Sequence, residues 1–149
     1  MRDISIADKF EMSMEEHLDM RLASYPLERI GDHANKICLM VMQIGDKEFP
    51  EDIIRDIESV NSISMKIVDD SIEALFKKNI NLANTTFTQR SQAAEKLRQI
   101  DEKVLKLSSD VSVPLGIILD SIDRVCDYGC NIAEIAINSA VSTSSQGTK

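Results

Sequence analysis

Two matching segments indicate the fold of this chain: LERIGDHANKI at residues 27–37 and IDRVCDYGCNI at residues 122–132. Each segment places an acid, an arginine, an apolar residue and an aspartate in the same order. The two acids are four residues apart, so on a helix their carboxylates share one face about 6 Å apart. Two such pairs on neighbouring helices could bind a hard cation. The sequence therefore predicts a metal site formed by Glu28, Asp32, Asp123 and Asp127.

The alternative is that these acids are ordinary solvated positions, since acids at i and i+4 are common on helices. Two like charges at that spacing destabilise a helix, however, and this chain carries such a pair in each of the two matching segments. Asn131 and Glu134 continue the same helix face beyond Asp127 and are weaker candidate ligands. Arg29 and Arg124 follow the first acid of each pair, where they either hold the carboxylates or are surface charges.

Hydrophobic periodicity predicts long helices and no strand. Only five glycines and three prolines interrupt 149 residues, which favours long elements joined by short breaks. The predicted helices cover residues 6–44, 50–78, 81–108 and 114–141. We expect Pro26 to kink or restart the first helix, Pro50 to begin the second and Asn81 to cap the third. The predicted fold is all-α, an antiparallel bundle of four long helices.

The first half of the predicted third helix is unusually polar. Between residues 85 and 92, Phe87 is the single large apolar side chain, and the other positions are Thr, Gln, Arg or Ser. Either this stretch faces solvent, or a polar site faces it.

The composition and the motifs that are missing exclude several classes of function. A net charge of −8 disfavours binding to nucleic acid and to anionic membrane surfaces. Three cysteines form no disulfide framework, and the sequence shows no signal peptide and no long apolar run, so we expect a cytoplasmic protein. Glu-x-x-His, His-Glu-x-x-His, phosphate-binding glycine loops and nucleophile elbows are missing from the sequence. We therefore expect no enzymatic activity.

Two alternative functions depend on other residues. His33 and Lys36 form a His-x-x-Lys pattern similar to that of histidine phosphotransfer domains, although Ile37 stands where those domains usually have glycine. A metal-binding bundle with a storage or redox role would need His or additional Glu ligands that the chain lacks. Cys126 and Cys130 are expected to be buried, small apolar thiols rather than ligands.

The two segments resemble the PhoU family of phosphate-uptake regulators. In that family each three-helix repeat ends in a helix carrying an acid-x-x-x-Asp motif, typically Glu-Arg-Ile-x-Asp. The first segment matches closely, and the second matches with Asp123 in place of glutamate. The resemblance covers roughly residues 10–141. It implies that 1–48 is the final helix of an incomplete first repeat, 49–142 a complete three-helix repeat, and 143–149 a disordered tail.

The resemblance also implies a function. Such a protein would be a cytoplasmic, non-enzymatic regulator of phosphate transport or phosphate signalling. Its partners would be the phosphate ABC transporter, its sensor kinase or both, with membrane contact only through the transporter. By this resemblance the four motif acids would be metal ligands. The metal would be iron or zinc, as in some members, and the other options are magnesium or an empty site. Family members often carry acids on the penultimate helix, whereas residues 89–94 carry none here.

The first helix is predicted to mediate a homodimer. Its apolar residues include Phe10, Leu18, Leu22, Leu27 and Met40. Three following helices can cover only part of a helix of this length, and a large exposed apolar stripe is unusual for a monomer. We expect the N-terminal halves of two copies to pack about a two-fold axis.

Overall fold

The computed structural model describes residues 12–146 of the chain. It contains four α-helices, α1 (Met14–Ile44), α2 (Glu51–Lys77), α3 (Ile80–Val104) and α4 (Ser109–Gln146). No strand occurs in this part of the chain. Helices α2, α3 and α4 pack on one another, whereas α1 packs against α4 alone within residues 12–146. The predicted all-α bundle is confirmed, as a three-helix core with α1 lying along one of its helices.

Helix α1 begins where the sequence provides a complete capping box. The Ser13 hydroxyl accepts a hydrogen bond from the Glu16 amide at 3.1 Å, and the Glu16 carboxylate accepts one from the Ser13 amide at 2.9 Å. The helix then continues through Pro26, which is buried, so the predicted restart at this residue does not occur. The earlier part of the predicted helix, residues 6–11 with Phe10, lies outside the described residues.

The connection between α2 and α3 is shorter than predicted. Lys78 adopts the left-handed conformation (φ 49°, ψ 41°) and ends α2. Asn79 follows at once as the N-cap of α3, its side-chain oxygen accepting from the Leu82 amide at 3.1 Å. The prediction of Asn81 as the cap is therefore wrong, because the left-handed turn at Lys78 places an earlier asparagine at the cap position. Pro50 likewise precedes α2 as its N-cap and is not its first residue.

Helices α3 and α4 also differ from the prediction at their ends. Helix α3 ends at Val104 and α4 begins at Ser109, five residues before Pro114. A proline within a helix deprives the carbonyl four residues earlier of its usual partner. Here that carbonyl belongs to Asp110, and it accepts from the Lys47 ammonium at 3.3 Å. This contact gives the Asp110 carbonyl a partner in place of the amide that Pro114 lacks.

The C-terminal end of α4 extends beyond the predicted boundary. The helix continues to Gln146, so the first residues of the predicted tail 143–149 are helical, and 147–149 lie outside the described residues. Among the four described helices, none combines the length and hydrophobicity needed to cross a bilayer.

The core lies where α2, α3 and α4 meet, and α4 supplies its centre. Ile122 and Ile132, both from the second repeated segment, are fully or almost fully buried. Between them, Gly129 allows α2 to approach closely, since a Cβ atom there would lie 2.7 Å from Ile67 Cγ2. The apolar side of the second segment thus faces the core, and its acids are left on the adjoining face of the helix.

Candidate functional site

The two repeated segments lie against each other on antiparallel helices. The Tyr128 ring of α4 contacts Tyr25 edge-on, with centroids 6.5 Å apart, and contacts His33 at 5.9 Å. His33 and Tyr128 occupy the same position in the two segments. Equivalent residues that contact each other indicate that a pseudo-two-fold axis relates the segments and passes close to these rings.

In the first segment, Asp32 is paired within its own helix. Its carboxylate accepts from Arg29 Nη1 at 2.8 Å. Hydrogen bonding to Tyr128 and the charge of Asp32 raise the pKa of the Arg29 guanidinium above its ordinary value. Asp32 and Glu28 are both exposed. The arginine of the first segment, Arg29, thus pairs with a carboxylate of the same segment.

In the second segment, both acids are held by one arginine from α3. Arg90 Nη2 lies 2.9 Å from Asp123 Oδ1, and Arg90 Nε donates to Asp127 Oδ1 at 2.8 Å. Arg124 adds a longer ion pair, 3.6 Å from its Nη1 to Asp127 Oδ2. The two carboxylates of this motif therefore share a single guanidinium.

The Arg90 guanidinium is better shielded from solvent than its partners. Its side chain is 23% exposed, against 38% for Asp123 and 40% for Asp127. Burial acts to lower the pKa of Arg90, but its hydrogen bond to Asp127 and the charges of both aspartates outweigh that effect. The pKa is raised above its ordinary value, so Arg90 is a permanent cation at this position.

A second polar contact connects the first half of α3 to α2. Gln89 Nε2 donates to Asp70 Oδ2 of α2 at 2.8 Å, and the Lys66 ammonium reaches the same carboxylate at 2.9 Å. Burial acts to raise the pKa of Asp70, but the hydrogen bonds from Gln89 and Lys66 hold it below its usual value. The neighbouring residues Gln89 and Arg90 thus reach α2 and α4 respectively. The other polar positions Thr85, Thr88, Ser91 and Gln92 are exposed, so the stretch faces solvent on one side and polar partners on the other.

In residues 12–146, no three His, Cys, Asp or Glu side chains are grouped so that they could hold an ion. Of the weaker candidates, Asn131 and Glu134 are both exposed. Asp123 and Asp127, the acids that the structure holds most closely, form ion pairs with Arg90. Metal binding by Glu28, Asp32, Asp123 and Asp127 stays a prediction, and it would require these ion pairs to open.

The remaining candidate groups are buried. His33 is only 9% exposed, and its Nδ1 atom has no hydrogen-bond partner among the described residues. Burial, with the charges of Lys36 and Arg29, lowers its pKa. A phosphoryl-accepting imidazole must be reached from solvent, so this placement does not support phosphotransfer. Cys126 and Cys130 are buried as expected, and burial raises the pKa of Cys126 to about 11.

Comparison with known proteins supports the family resemblance that the repeated motif indicates. The sequence profile described as the PhoU domain matches residues 52–136. The chain is also 28% identical, over 119 residues, to the phosphate-specific transport system accessory protein PhoU homolog of Pseudomonas aeruginosa. That match covers 74% of this chain and 48% of the relative, so the chain spans about half the length of that protein. No solved structure matches at comparable significance. The chain belongs to the PhoU domain family.

Proposed function

We propose that this chain is a non-enzymatic regulator of phosphate transport or phosphate signalling that acts through protein–protein contacts. The observation that carries the proposal is the PhoU domain match over residues 52–136, which contains α3 and the second acid motif. The matched Pseudomonas aeruginosa protein is named as an accessory protein of a phosphate-specific transport system. A regulatory role in that process follows most simply from both matches.

The arrangement of the site supports a role in contact rather than catalysis. The acids of the second motif are engaged in ion pairs with Arg90, and His33 is buried against Tyr128. General acid–base catalysis needs a titratable group within reach of a substrate proton, and these groups are already engaged or covered. We therefore infer that the chain acts by binding other proteins through the surfaces of the bundle.

One such surface is an apolar stripe on α1, formed by Met14, Leu18, Leu22 and Tyr25. These side chains are between 51% and 62% exposed. They recur at intervals of three or four residues, so they line one face of the helix, away from the buried Ala23. We assign this stripe to a second copy of the chain, because antiparallel pairing about a two-fold axis would match Leu18 of each copy with Leu22 of the other.

The transport partner is proposed to be the phosphate ABC transporter, its sensor kinase or both, approached from the cytoplasm. The net charge of −8 opposes direct adsorption to an anionic bilayer and binding to nucleic acid. Contact with the membrane would therefore be peripheral, through the transporter. Metal is not needed for this proposal, and iron or zinc binding by the acid motifs is tested separately through Arg90.

The proposal is tested by measuring binding to the transporter directly. The phosphate ABC transporter of the same organism is placed in nanodiscs, and the full-length chain is titrated against it by biolayer interferometry. We expect saturable binding, with none to empty nanodiscs or to an ABC transporter for an unrelated solute. If neither the phosphate transporter nor the soluble domain of the sensor kinase binds the chain, the proposed partners are wrong.

A further inference from the structure

The second acid motif holds two negative charges close together in the folded bundle. Asp123 and Asp127 are four residues apart on α4, where two like charges destabilise a helix. They are only partly exposed, at 38% and 40%, so water screens their repulsion incompletely. Full compensation of this repulsion in the folded bundle therefore requires a nearby cation.

The guanidinium of Arg90 meets this requirement geometrically. Its Nη2 atom lies 2.9 Å from Oδ1 of Asp123, and its Nε atom lies 2.8 Å from Oδ1 of Asp127. The guanidinium thus donates a charge-assisted hydrogen bond to Asp127 and forms a close ion pair with Asp123. With Arg124 on the outer side of Asp127, two carboxylates face two guanidinium groups, and the local charge is balanced.

A metal ion at this motif would occupy the same position as Arg90. Oxygen ligands bind divalent cations at about 2.0–2.6 Å, so an ion shared by the two Oδ1 atoms would overlap the guanidinium. Binding would then require Arg90 to leave a partly buried place and to accept a second positive charge nearby. Two carboxylates alone offer little to offset this displacement.

We propose that Arg90 is the resident cation of the second acid motif, so that this chain closes the motif without a metal ion. The sequence feature behind this is the stretch 89–94, which has an arginine and no acid on the helix facing the motif. Arg90 occupies the position that an ion would take, and its ion pairs connect α3 to α4. The motif serves here as an interhelical ion pair that orients the two helices.

The inference predicts that metal affinity is latent and appears when Arg90 is neutralised. The experiment titrates Zn²⁺, and separately Mn²⁺, into the full-length chain by calorimetry. The variants are Arg90→Gln, Arg124→Gln as a control with the same charge change, and Arg90→Gln combined with Asp127→Asn. Circular dichroism first establishes that each variant is helical.

We expect Arg90→Gln to bind either ion at least about tenfold more tightly than the unmodified chain, since a cation close to the ion is removed. Arg124→Gln should show no such gain, because its pair with Asp127 is longer and more exposed and leaves Arg90 in place. The double variant should lose the gained affinity. Equal affinity of the unmodified chain and Arg90→Gln, or an equal gain in Arg124→Gln, would overturn the inference.

A second measurement keeps the inference testable if Arg90→Gln does not fold. Substoichiometric Mn²⁺ is added to the unmodified chain, and its paramagnetic broadening of backbone amide NMR signals is mapped. We expect no selective loss of the signals of Asp123, Asp127 and Arg90. Selective broadening there would mean that the ion reaches the motif in the presence of Arg90 and would overturn the inference. Neither result bears on transporter binding, which is measured independently.

Discussion

The close approach of α2 to α4 makes Gly129→Ala the most informative single substitution for the fold. A Cβ atom at Gly129 would lie 2.7 Å from Ile67 Cγ2 and 3.5 Å from Val68 Cγ2. Ile67 is completely buried and β-branched, so in a helix it has essentially one available rotamer and cannot move aside. The two helices must therefore separate to accept the methyl group.

The magnitude follows from two opposing terms. Overpacking a well-packed core costs about 1–3 kcal/mol, while replacing glycine by alanine inside a helix returns about 1 kcal/mol. We expect Gly129→Ala to lower the free energy of unfolding by about 1 kcal/mol. Gly116→Ala, on the same helix but with no atom within 4 Å of its added Cβ, receives only the favourable term and should raise stability by about 1 kcal/mol.

The measurement is urea unfolding followed by circular dichroism, with all three proteins at one concentration because association would otherwise shift the midpoints. The difference between the two variants is the more reliable quantity, since the helix-propensity term cancels and about 2 kcal/mol of packing cost remains. If Gly129→Ala stabilises the protein as much as Gly116→Ala does, the contact between α2 and α4 is not as described.

Two further predictions concern the surface of α1 and the thiols. Replacing Leu18 and Leu22 by Glu should convert the predicted dimer into a folded monomer, whereas Leu105→Glu, at a more exposed apolar position on a different surface, should leave the dimer intact. Sedimentation velocity decides this, and an unmodified chain that is already monomeric at micromolar concentration would refute the dimer. Separately, Ellman's reagent should titrate one thiol rapidly, that of exposed Cys38, because Cys126, with its pKa near 11, and the third cysteine are buried. Rapid reaction of all three thiols in the native state would contradict the described core.

The sequence was sufficient to predict the helices because their core faces repeat with the helical period. Ile122 and Ile132 fall on the buried side of α4 as that period requires. Helix ends were harder to predict, since two asparagines, Asn79 and Asn81, could each cap α3. The choice depends on the left-handed turn at Lys78, which no local pattern signals.

The candidate site was predicted only in part. The acid pairs are recognisable from their spacing, and the polar first half of α3 signalled that something unusual lies there. The identity of the partner was not predictable, because the pairing of Arg90 with Asp123 and Asp127 depends on how α3 and α4 are aligned. Periodicity determines which face of a helix is buried, but not which long polar side chain meets which acid on a neighbouring helix.

The central claim, that this chain regulates phosphate transport, is tested most directly by phosphate uptake in cells. The gene is deleted from the organism that encodes it, and uptake of radiolabelled phosphate is followed in phosphate-replete medium. We predict that the deletion changes the uptake rate and that the unmodified chain, supplied on a plasmid, restores it. An uptake rate that is the same with and without the chain would contradict the account.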